Sequence, residues 1–391
     1  MKKTLLISIA LIALIGCSSS NDKKWTILIY MAADNGLNNA ASDDIAEMLT
    51  ATFSDDINVI VQIDHSEDNE ITGTYRYHIY PGEKKHVSYL GEINSGDWHS
   101  ITDFANWGFN KYPADKNVLF LWSHGNGWYP MNRTLDPCFC PDEESQDYIS
   151  IADGDLNNAV KNINAHLDIL VFDACNMQTI EVAAEIYNYT DFIIGAEDGI
   201  DSEGFPYEKI LSNWENFSGV ENTAVGIGFN FHEYYFFLED HDDEISCSVL
   251  KTTKFPQLLN KLSEFTSQWA IHASDEIFIE SRQDCIEFND SWVSQPVDVD
   301  IKEFFANVYN NTENDSLSTI SNDILNAIET CYIFQNTDDY PTGYTSDYVG
   351  TGLIWFPDDE TQIYYENRLE EYLKLEFSET NWQEFLENFL Q

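Results

Sequence analysis

Two apolar segments of the sequence end in residue types that act together in nucleophilic catalysis. Residues 118–122 precede His124 and Gly125, and residues 167–172 precede Cys175. In an open α/β sheet, the residues just past the carboxyl ends of the strands face the ligand crevice. If the two segments are neighbouring strands, an imidazole and a thiol meet although they lie 51 positions apart. Because the thiolate is the attacking form of cysteine, this pairing predicts a cysteine nucleophile with a histidine base.

Each of these residues also has an ordinary structural interpretation. His124 could be a strand-end histidine satisfied by hydrogen bonds, and Cys175 could be a small buried hydrophobic residue, as most free cysteines are. Their occurrence together favours the catalytic interpretation. In that case we expect Cys175 to lie where the chain turns into a helix, whose N-terminus lowers a thiol pKa. The N–H groups of Gly125 and Cys175 would then stabilise an oxyanion.

Acidic side chains are predicted near this pair. Asp173 lies two residues before the thiol, and Glu197, Asp201 and Glu203 follow an apolar strand predicted at residues 191–196. These carboxylates could bind a cationic side chain of a substrate, since a carboxylate pairs with guanidinium through two hydrogen bonds. Two alternatives stay open: Asp173 as the N-cap of a helix, and the other three as a solvated loop of a very acidic chain.

The sequence predicts no defined metal centre. One acidic loop offers oxygen ligands for Ca²⁺ but lacks the spacing of an EF-hand. Its carboxylates are Asp64, Glu67, Asp68 and Glu70. Cys138 and Cys140 lack the second Cys/His pair that a zinc site requires. Calcium therefore stays an open alternative as a cofactor.

Composition limits the partners of the chain. Its 391 residues carry a net charge of −49, so nucleic acid is not an expected partner, because phosphate binding requires a basic face. Hydrophobic residues make up 43% and aromatic residues 14% of the chain, which is enough for a sizeable core. A dense disulfide framework is not expected, since a nucleophilic Cys175 must stay a free thiol.

The amino terminus resembles a bacterial lipoprotein signal. Two lysines precede an apolar run at residues 5–15, which is too short for a stable membrane span. The Leu-x-Gly-Cys sequence ending at Cys17 resembles a lipobox, which implies that Cys17 is lipidated and residues 1–16 are removed. Residues 17–24 would then be a polar tether to the bacterial cell envelope, at the outer membrane or the cell surface. The alternative is an ordinary secretory signal.

Strand and helix patterns alternate along the chain. This alternation predicts an α/β fold with a mostly parallel sheet covered by helices on both faces, and C-terminal helical additions. Strands are predicted at Trp25–Met31, Ile57–Ile63, Lys116–Trp122, Leu167–Phe172, Asp191–Ala196, Ile245–Leu250 and Gly352–Phe356, with a hairpin within 72–90. Helices are predicted at 40–51, 101–112, 156–165, 179–187, 220–238, 255–272, 298–307, 319–334, 360–375 and 381–390. Residues 126–150 are expected to form a long loop.

These motifs resemble those of the clostripain family of cysteine peptidases, relatives of the caspases, gingipains and legumains. The matching stretches are Trp25–Asn35, Leu121–Gly125, Asp173–Met177, Gly204–Tyr207, Val297–Asp300, Gly352–Pro357 and Trp382–Leu386. The resemblance covers nearly the whole mature chain and maps the family's general base to His124 and its attacking thiol to Cys175. It implies that residues 25–391 are a clostripain-like peptidase domain with a caspase-like sheet.

The resemblance also implies an activity. Family members are endopeptidases of peptide or protein substrates, often cleaving after Arg or Lys, and some use calcium or process themselves between the histidine and the cysteine. Only Arg133 and Lys161 are basic in that interval here, which leaves self-processing and basic specificity open. We expect a monomeric, lipid-anchored enzyme. The rival hypotheses are a catalytically idle lipoprotein that binds peptides or glycans, and a cysteine transpeptidase or amidase.

Overall fold

The computed structural model describes residues 23–67, 70–129, 139–236, 246–285, 287–289, 296–335, 351–358 and 368–391. Its strands are β1 (Lys23–Ala33), β2 (Ile57–His65), β3 (Gly73–Tyr80), β4 (Glu83–Gly91), β5 (Ala114–Trp122), β6 (Phe139–Asp142), β7 (Asp147–Ile149), β8 (Leu167–Asp173), β9 (Thr190–Gly195), β10 (Ser248–Lys251), β11 (Glu287–Asn289), β12 (Pro296–Asp300), β13 (Tyr332–Phe334) and β14 (Leu353–Trp355).

The helices lie between these strands in sequence and follow the last of them. They are α1 (Asn38–Thr50), α2 (Trp98–Lys111), α3 (Asp155–Lys161), α4 (Ile180–Ile186), α5 (Tyr207–Asn213), α6 (Val220–Phe236), α7 (Phe255–Trp269), α8 (Glu276–Gln283), α9 (Ile301–Asn311), α10 (Asp315–Cys331) and α11 (Trp382–Phe389). Short 3₁₀ segments occur at Trp214–Asn216, Thr252–Lys254, Ala270–His272 and Glu376–Thr380.

A nine-stranded sheet organises the fold, with strand order β13-β10-β9-β8-β5-β1-β2-β3-β4. Its central strands β9, β8, β5, β1 and β2 run parallel, and antiparallel strands close both edges. The parallel strands are continuous apolar runs because helices cover both of their faces. The predicted α/β class with a mostly parallel, helix-covered sheet is confirmed.

Alternate side chains of β1 show how the two faces are covered. Ile27 and Ile29 pack in one apolar cluster with Met48 of α1, whereas Leu28 and Tyr30 pack in the other with Phe104 of α2. Successive side chains of a strand point to opposite faces, so each cluster takes every second residue. Helices α1 and α2 therefore lie on opposite faces of the sheet and fix the ends of its central strands.

Several predicted boundaries differ from the structure. The expected loop at 126–150 contains the β6–β7 hairpin, and the strand predicted at 352–356 pairs with β12 in a separate three-stranded sheet. Residues 296–300 form β12 rather than the start of a helix, because the Asp300 carboxylate caps α9 by accepting from the N–H groups of Lys302 and Glu303. Of these differences, only the pairing of β14 with β12 joins segments distant in sequence.

The amino-terminal predictions lie mostly outside the described residues. Neither the predicted signal peptide nor Cys17 is among them, and β1 begins at Lys23, so Lys23 and Lys24 of the predicted tether belong to the strand. The helix predicted at 360–375 also falls partly outside. Among the helices that are described, none is long and apolar enough to cross a membrane.

Candidate functional site

His124 and Cys175 follow two neighbouring strands at matching positions. Strands β5 and β8 are parallel, and Trp122 is the register partner of Asp173. The Ser123 N–H continues the pairing by donating to the Asp173 carbonyl at 3.2 Å. His124 and Cys175 each lie two residues beyond the paired positions. Adjacent strands are about 4.8 Å apart, so the imidazole and the thiol start from adjacent points at one edge of the sheet.

Gly125 lets the two chains approach closely at this point. A Cβ atom at position 125 would lie 2.4 Å from the Cys175 carbonyl oxygen and 2.9 Å from the Ala174 Cβ. These separations are shorter than any non-bonded contact, so only glycine fits here. Within the described residues, the N–H groups of Gly125 and Cys175 donate to no protein acceptor. Both donors are therefore available to a negatively charged oxygen.

Cys175 lies under the segment that follows β9. Its Sγ accepts a hydrogen bond from the Ile200 N–H at 3.3 Å and lies 3.7 Å from the Ile200 carbonyl oxygen. The backbone just after the thiol is tied to the same segment, because the Asn176 N–H donates to the Asp198 carbonyl at 3.1 Å. The thiol is thus held between two strand-end segments.

The prediction that a helix begins at Cys175 is wrong. Helix α4 begins only at Ile180, where the Thr179 side chain accepts from the Val182 N–H as an N-cap. The Gln178 N–H donates instead to the Ala196 carbonyl at 3.0 Å, which keeps the intervening residues out of the helix. The thiol therefore receives no helix-terminus stabilisation of its charged form.

Burial sets the ionisation of both groups. It raises the pKa of the Cys175 thiol above 9, with the Asp198 and Asp173 carboxylates adding to the rise and the Ile200 N–H opposing it. Burial lowers the pKa of the His124 imidazole below 6.5. Both shifts favour the neutral thiol and the neutral imidazole over a thiolate–imidazolium pair.

The turn after β1 and the strand β6 surround His124. A Cβ atom on Gly36 would lie 3.9 Å from the His124 Nε2, and the Cys140 N–H donates to the His124 carbonyl at 3.3 Å. The Asn35 side-chain amide donates to the Pro141 carbonyl at 2.9 Å and so joins the two segments. Sequence analysis missed these residues, although the turn after β1 ends at the same sheet edge as His124.

Asp173 is fully buried rather than open to the cleft. Its carboxylate accepts from the Phe205 N–H at 3.2 Å and from the Tyr207 hydroxyl at 2.7 Å. Burial raises its pKa to about 7. Burial raises the pKa of Asp44 in α1 to about 9, and the nearby Asp173 carboxylate adds to this rise. Asp173 and Asp44 thus form a pair of buried carboxyl groups.

The three predicted acids after β9 do not share one environment. Glu197 is fully buried and accepts from the Ser248 hydroxyl at 2.5 Å, so its carboxylate faces β10 rather than the cleft. The Asp201 carbonyl accepts from the Gly204 N–H and shapes the turn before α5, whereas Glu203 is exposed. Of the three, Glu203 alone lines the cavity beside the site.

That cavity has a volume of about 480 Å³ and lies between α1 and the segment after β9. Ser202, which lines the cavity, belongs to the segment that lies against Cys175. Gly36, which also lines it, borders the His124 imidazole. Its carboxylates are Asp43, Asp44, Glu47 and Glu203. No Lys, Arg or His is among its lining residues in the described part of the chain, so it can accept a cation.

The predicted metal ligands are separated in the structure. Asp64 is buried in β2, whereas Glu67 and Glu70 are exposed, and Asp68 lies outside the described residues. Cys138 is also outside them, and Cys140 is a buried free thiol.

We expect alkylation of Cys175 by iodoacetamide to rise with pH with a midpoint above pH 9, because burial disfavours the thiolate. Mass spectrometry of the Cys175 peptide gives its rate apart from those of the other cysteines. The His124→Ala variant should keep the same profile, since a neutral imidazole does not stabilise the thiolate. A rate that is already maximal at pH 6 in the wild type, and falls in the variant, would establish an ion pair instead.

The chain is similar to several known proteins. The profile of the clostripain family matches residues 29–389. Clostripain of Hathewaya histolytica is 28% identical over 239 residues, which are 52% of this chain and 45% of that protein, so the chain spans about half the length of this curated relative.

Two solved structures share the fold. A secreted C11 cysteine protease from Bacteroides thetaiotaomicron, in complex with an irreversible peptide inhibitor, has a TM-score of 0.68 at 21% identity, covering 92% of this chain and 99% of its own. An inactive zymogen C11 protease from Parabacteroides distasonis has a TM-score of 0.67 at 22% identity, covering 91% and 97%. With the family profile matching nearly the whole chain, the protein belongs to the clostripain family of cysteine peptidases.

Proposed function

We propose that this chain is a cysteine endopeptidase that hydrolyses peptide bonds with Cys175 as nucleophile and His124 as general base. The observation that carries the proposal is the register of β5 and β8. Trp122 pairs with Asp173, and His124 and Cys175 each lie two residues beyond that pair. Family membership supports the same chemistry. The close approach of Gly125 to the Cys175 carbonyl supports it further, because it brings the two chain segments together.

The chemistry follows from the neutral resting pair. The Cys175 sulfur attacks the scissile carbonyl carbon while the His124 imidazole takes the thiol proton. The carbonyl oxygen becomes an oxyanion that the N–H groups of Gly125 and Cys175 stabilise. The imidazolium then protonates the leaving amine and a thioester remains. Water, deprotonated by the same imidazole, attacks the thioester and releases the acid and the free thiol.

We expect Cys175→Ala to reduce peptide hydrolysis to background and His124→Ala to reduce kcat/KM by about 10²- to 10⁴-fold, because each removes one partner of the proton transfer. The control is Cys331→Ala, which changes a buried thiol on α10. It should leave kcat/KM within about threefold of the wild type. Thermal unfolding of all three variants shows whether they fold.

Turnover by a folded Cys175→Ala variant at the wild-type rate would contradict the proposal. An inert wild type that binds peptides or glycans would favour the idle lipoprotein. Transfer of the acyl group to an added free amine, in preference to water, would favour the transpeptidase or amidase.

The acidic cavity supports cleavage after Arg or Lys. It is lined by Gly36, which borders the His124 imidazole, and by Ser202, which follows the segment against Cys175. Its four carboxylates have no cationic partner among its lining residues in the described chain. Asp173 is close to Asp44 and accepts hydrogen bonds from the Phe205 N–H and the Tyr207 hydroxyl, just after the cavity residue Glu203, so it acts as a positioning residue. Glu203 and Glu47 are the carboxylates that an arginine or lysine side chain would meet.

We expect kcat/KM for peptides with Arg or Lys before the cleaved bond to exceed that for Gln by about a hundredfold, as two charge-assisted hydrogen bonds would provide. Glu47→Gln should reduce this ratio by about tenfold, and the exposed Glu203→Gln by about two- to fivefold. The matched control Glu384→Gln, an exposed position on α11, should leave it unchanged. A preference for Asp or a neutral residue would contradict basic specificity.

We further propose that the enzyme is a monomer tethered to the bacterial cell envelope by a lipid on Cys17, with residues 1–16 removed. The support is the Leu-x-Gly-Cys sequence after the apolar run. The peptidase domain would then follow the short tether, with peptides or proteins as its substrates and no nucleic acid partner.

In cells grown with a fatty-acid analogue, the wild type should carry the label and remain with membranes after an alkaline carbonate wash. Cys17→Ser should lose the label and the membrane association while keeping the kcat/KM of any mature enzyme recovered. Cys331→Ala should stay labelled. An unlabelled wild type recovered in the soluble fraction would show an ordinary secretory signal.

A further inference from the structure

The turn that carries Cys175 is held in place by the segment after β9, residues 196–200. The Asn176 N–H donates to the Asp198 carbonyl at 3.1 Å. The Ile200 N–H donates to the Cys175 Sγ at 3.3 Å. The position of the sulfur therefore depends on where the segment after β9 lies.

The backbone of this turn is strained and needs such support. Asn176 has a φ of 57°, in the left-handed region that costs free energy for a residue with a Cβ atom. Its side-chain amide donates to the Glu197 carbonyl at 3.2 Å. The Gln178 N–H donates to the Ala196 carbonyl at 3.0 Å. These hydrogen bonds offset the strain, so the turn keeps its shape while the segment after β9 stays fixed.

Glu197 fastens that segment to β10 on the side away from the cleft. Its side chain is 0% exposed, and its Oε1 accepts from the Ser248 hydroxyl at 2.5 Å. The Ser248 Oγ in turn accepts from the Gln178 Nε2 at 3.1 Å. The Glu197 N–H donates to the Ser246 Oγ at 3.2 Å. A chain of hydrogen bonds thus runs from the end of the thiol turn through Ser248 to the Glu197 carboxyl group.

This chain lacks one donor hydrogen. The Glu197 Oε2 and the Gln178 Oε1 are both buried, and neither has a hydrogen-bond partner in the described structure. The Gln178 Nε2 already donates to the Oγ and the carbonyl of Ser248. A protonated Glu197 supplies a further hydrogen to the chain, whereas an ionised Glu197 leaves both oxygens without a donor.

No cation compensates a charge on Glu197. None of the ion pairs in the described part of the chain includes it. The ionisable groups that face it are Asp300, which caps α9, Cys247 before β10 and Tyr332 in β13, and burial raises the pKa of the last two well above their usual values. Burial raises the pKa of Glu197 to about 8, and the Asp300 carboxylate adds to the rise. A buried carboxylate here would therefore stay uncompensated.

We propose that Glu197 is a positioning residue whose protonated carboxyl group fixes the segment after β9 to β10 and so places the Cys175 sulfur for attack. Loss of the proton puts a negative charge near Asp300 and removes a donor from the chain that reaches the thiol turn. The segment that donates to the sulfur then shifts. The role in catalysis rests on the proposed function, whereas the protonation of Glu197 does not.

The protonation is tested without any substrate. Infrared difference spectra of the wild type and Glu197→Gln at pH 6 should show the C=O stretch of a protonated carboxyl group in the wild type only. Because the pKa of Glu197 is higher in the folded chain than its usual 4.5, the wild type loses stability as the pH rises from 4.5 to about 8. The Tm of Glu197→Gln minus that of the wild type should grow over this window by about 3 °C or more.

The positioning role is tested by the pH profile of hydrolysis. Between pH 7 and pH 9 the wild type should lose about tenfold in kcat with little change in KM, as Glu197 ionises. Glu197→Gln stays neutral and keeps a donor, so it should retain kcat within about threefold at pH 7 and lose this alkaline fall. Glu197→Leu, which makes no hydrogen bonds, should lose at least about tenfold in kcat at both pH values. The matched control Glu185→Gln, a buried glutamate on α4 that accepts from the Glu376 N–H, should keep the wild-type fall.

The same alkaline fall in folded Glu197→Gln would overturn the positioning role, and this variant decides the matter even if Glu197→Leu does not fold. Spectra in which no protonated carboxyl band is lost from the wild type on substitution would overturn the protonation. A wild type that shows the band but hydrolyses no peptide would overturn the peptidase proposal, and with it the catalytic role, while establishing the protonated carboxyl group.

Discussion

The parallel pairing of β5 with β8 fixes the spacing of the two residues that could carry out the chemistry, because both chains advance by two residues from the Trp122–Asp173 pair. A slip of one residue would turn one of the two side chains to the opposite face of the sheet. Gly125 completes this constraint, since any side chain there would collide with the Cys175 carbonyl. The geometry of the site is therefore a property of the sheet, and loops only border it.

The strongly acidic composition is not confined to the surface. The chain has 68 Asp and Glu residues, and two groups of them gather in the folded protein. One group lines the cavity near Asp44, and the other consists of Asp34, Glu92 and Asp142. The turn at residues 34–36 touches both, because Asp34 belongs to the second group and Gly36 lines the cavity of the first. Buried carboxylates favour cationic partners, and Gly36 in the same turn borders the His124 imidazole.

The sequence was most informative where local pattern and tertiary structure agree. The runs at 118–122 and 167–172 are buried parallel strands, and continuous apolar runs are typical of such strands. Because two such strands can be neighbours in a parallel sheet, the sequence alone predicts that His124 and Cys175 lie close together.

What local pattern could not reveal depends on contacts between distant segments. The start of α4 at Ile180 depends on hydrogen bonds to the segment after β9, and the burial of Glu197 depends on Ser248 in β10. No sequence motif singles out Glu47, yet α1 packs so that this residue lines the cavity. The raised pKa of Cys175 has the same origin, because the Ile200 segment that lies against the sulfur continues into Ser202 and Glu203. A cation bound by Glu203, as proposed for the substrate, would contact the stretch of backbone that lies against the Cys175 sulfur.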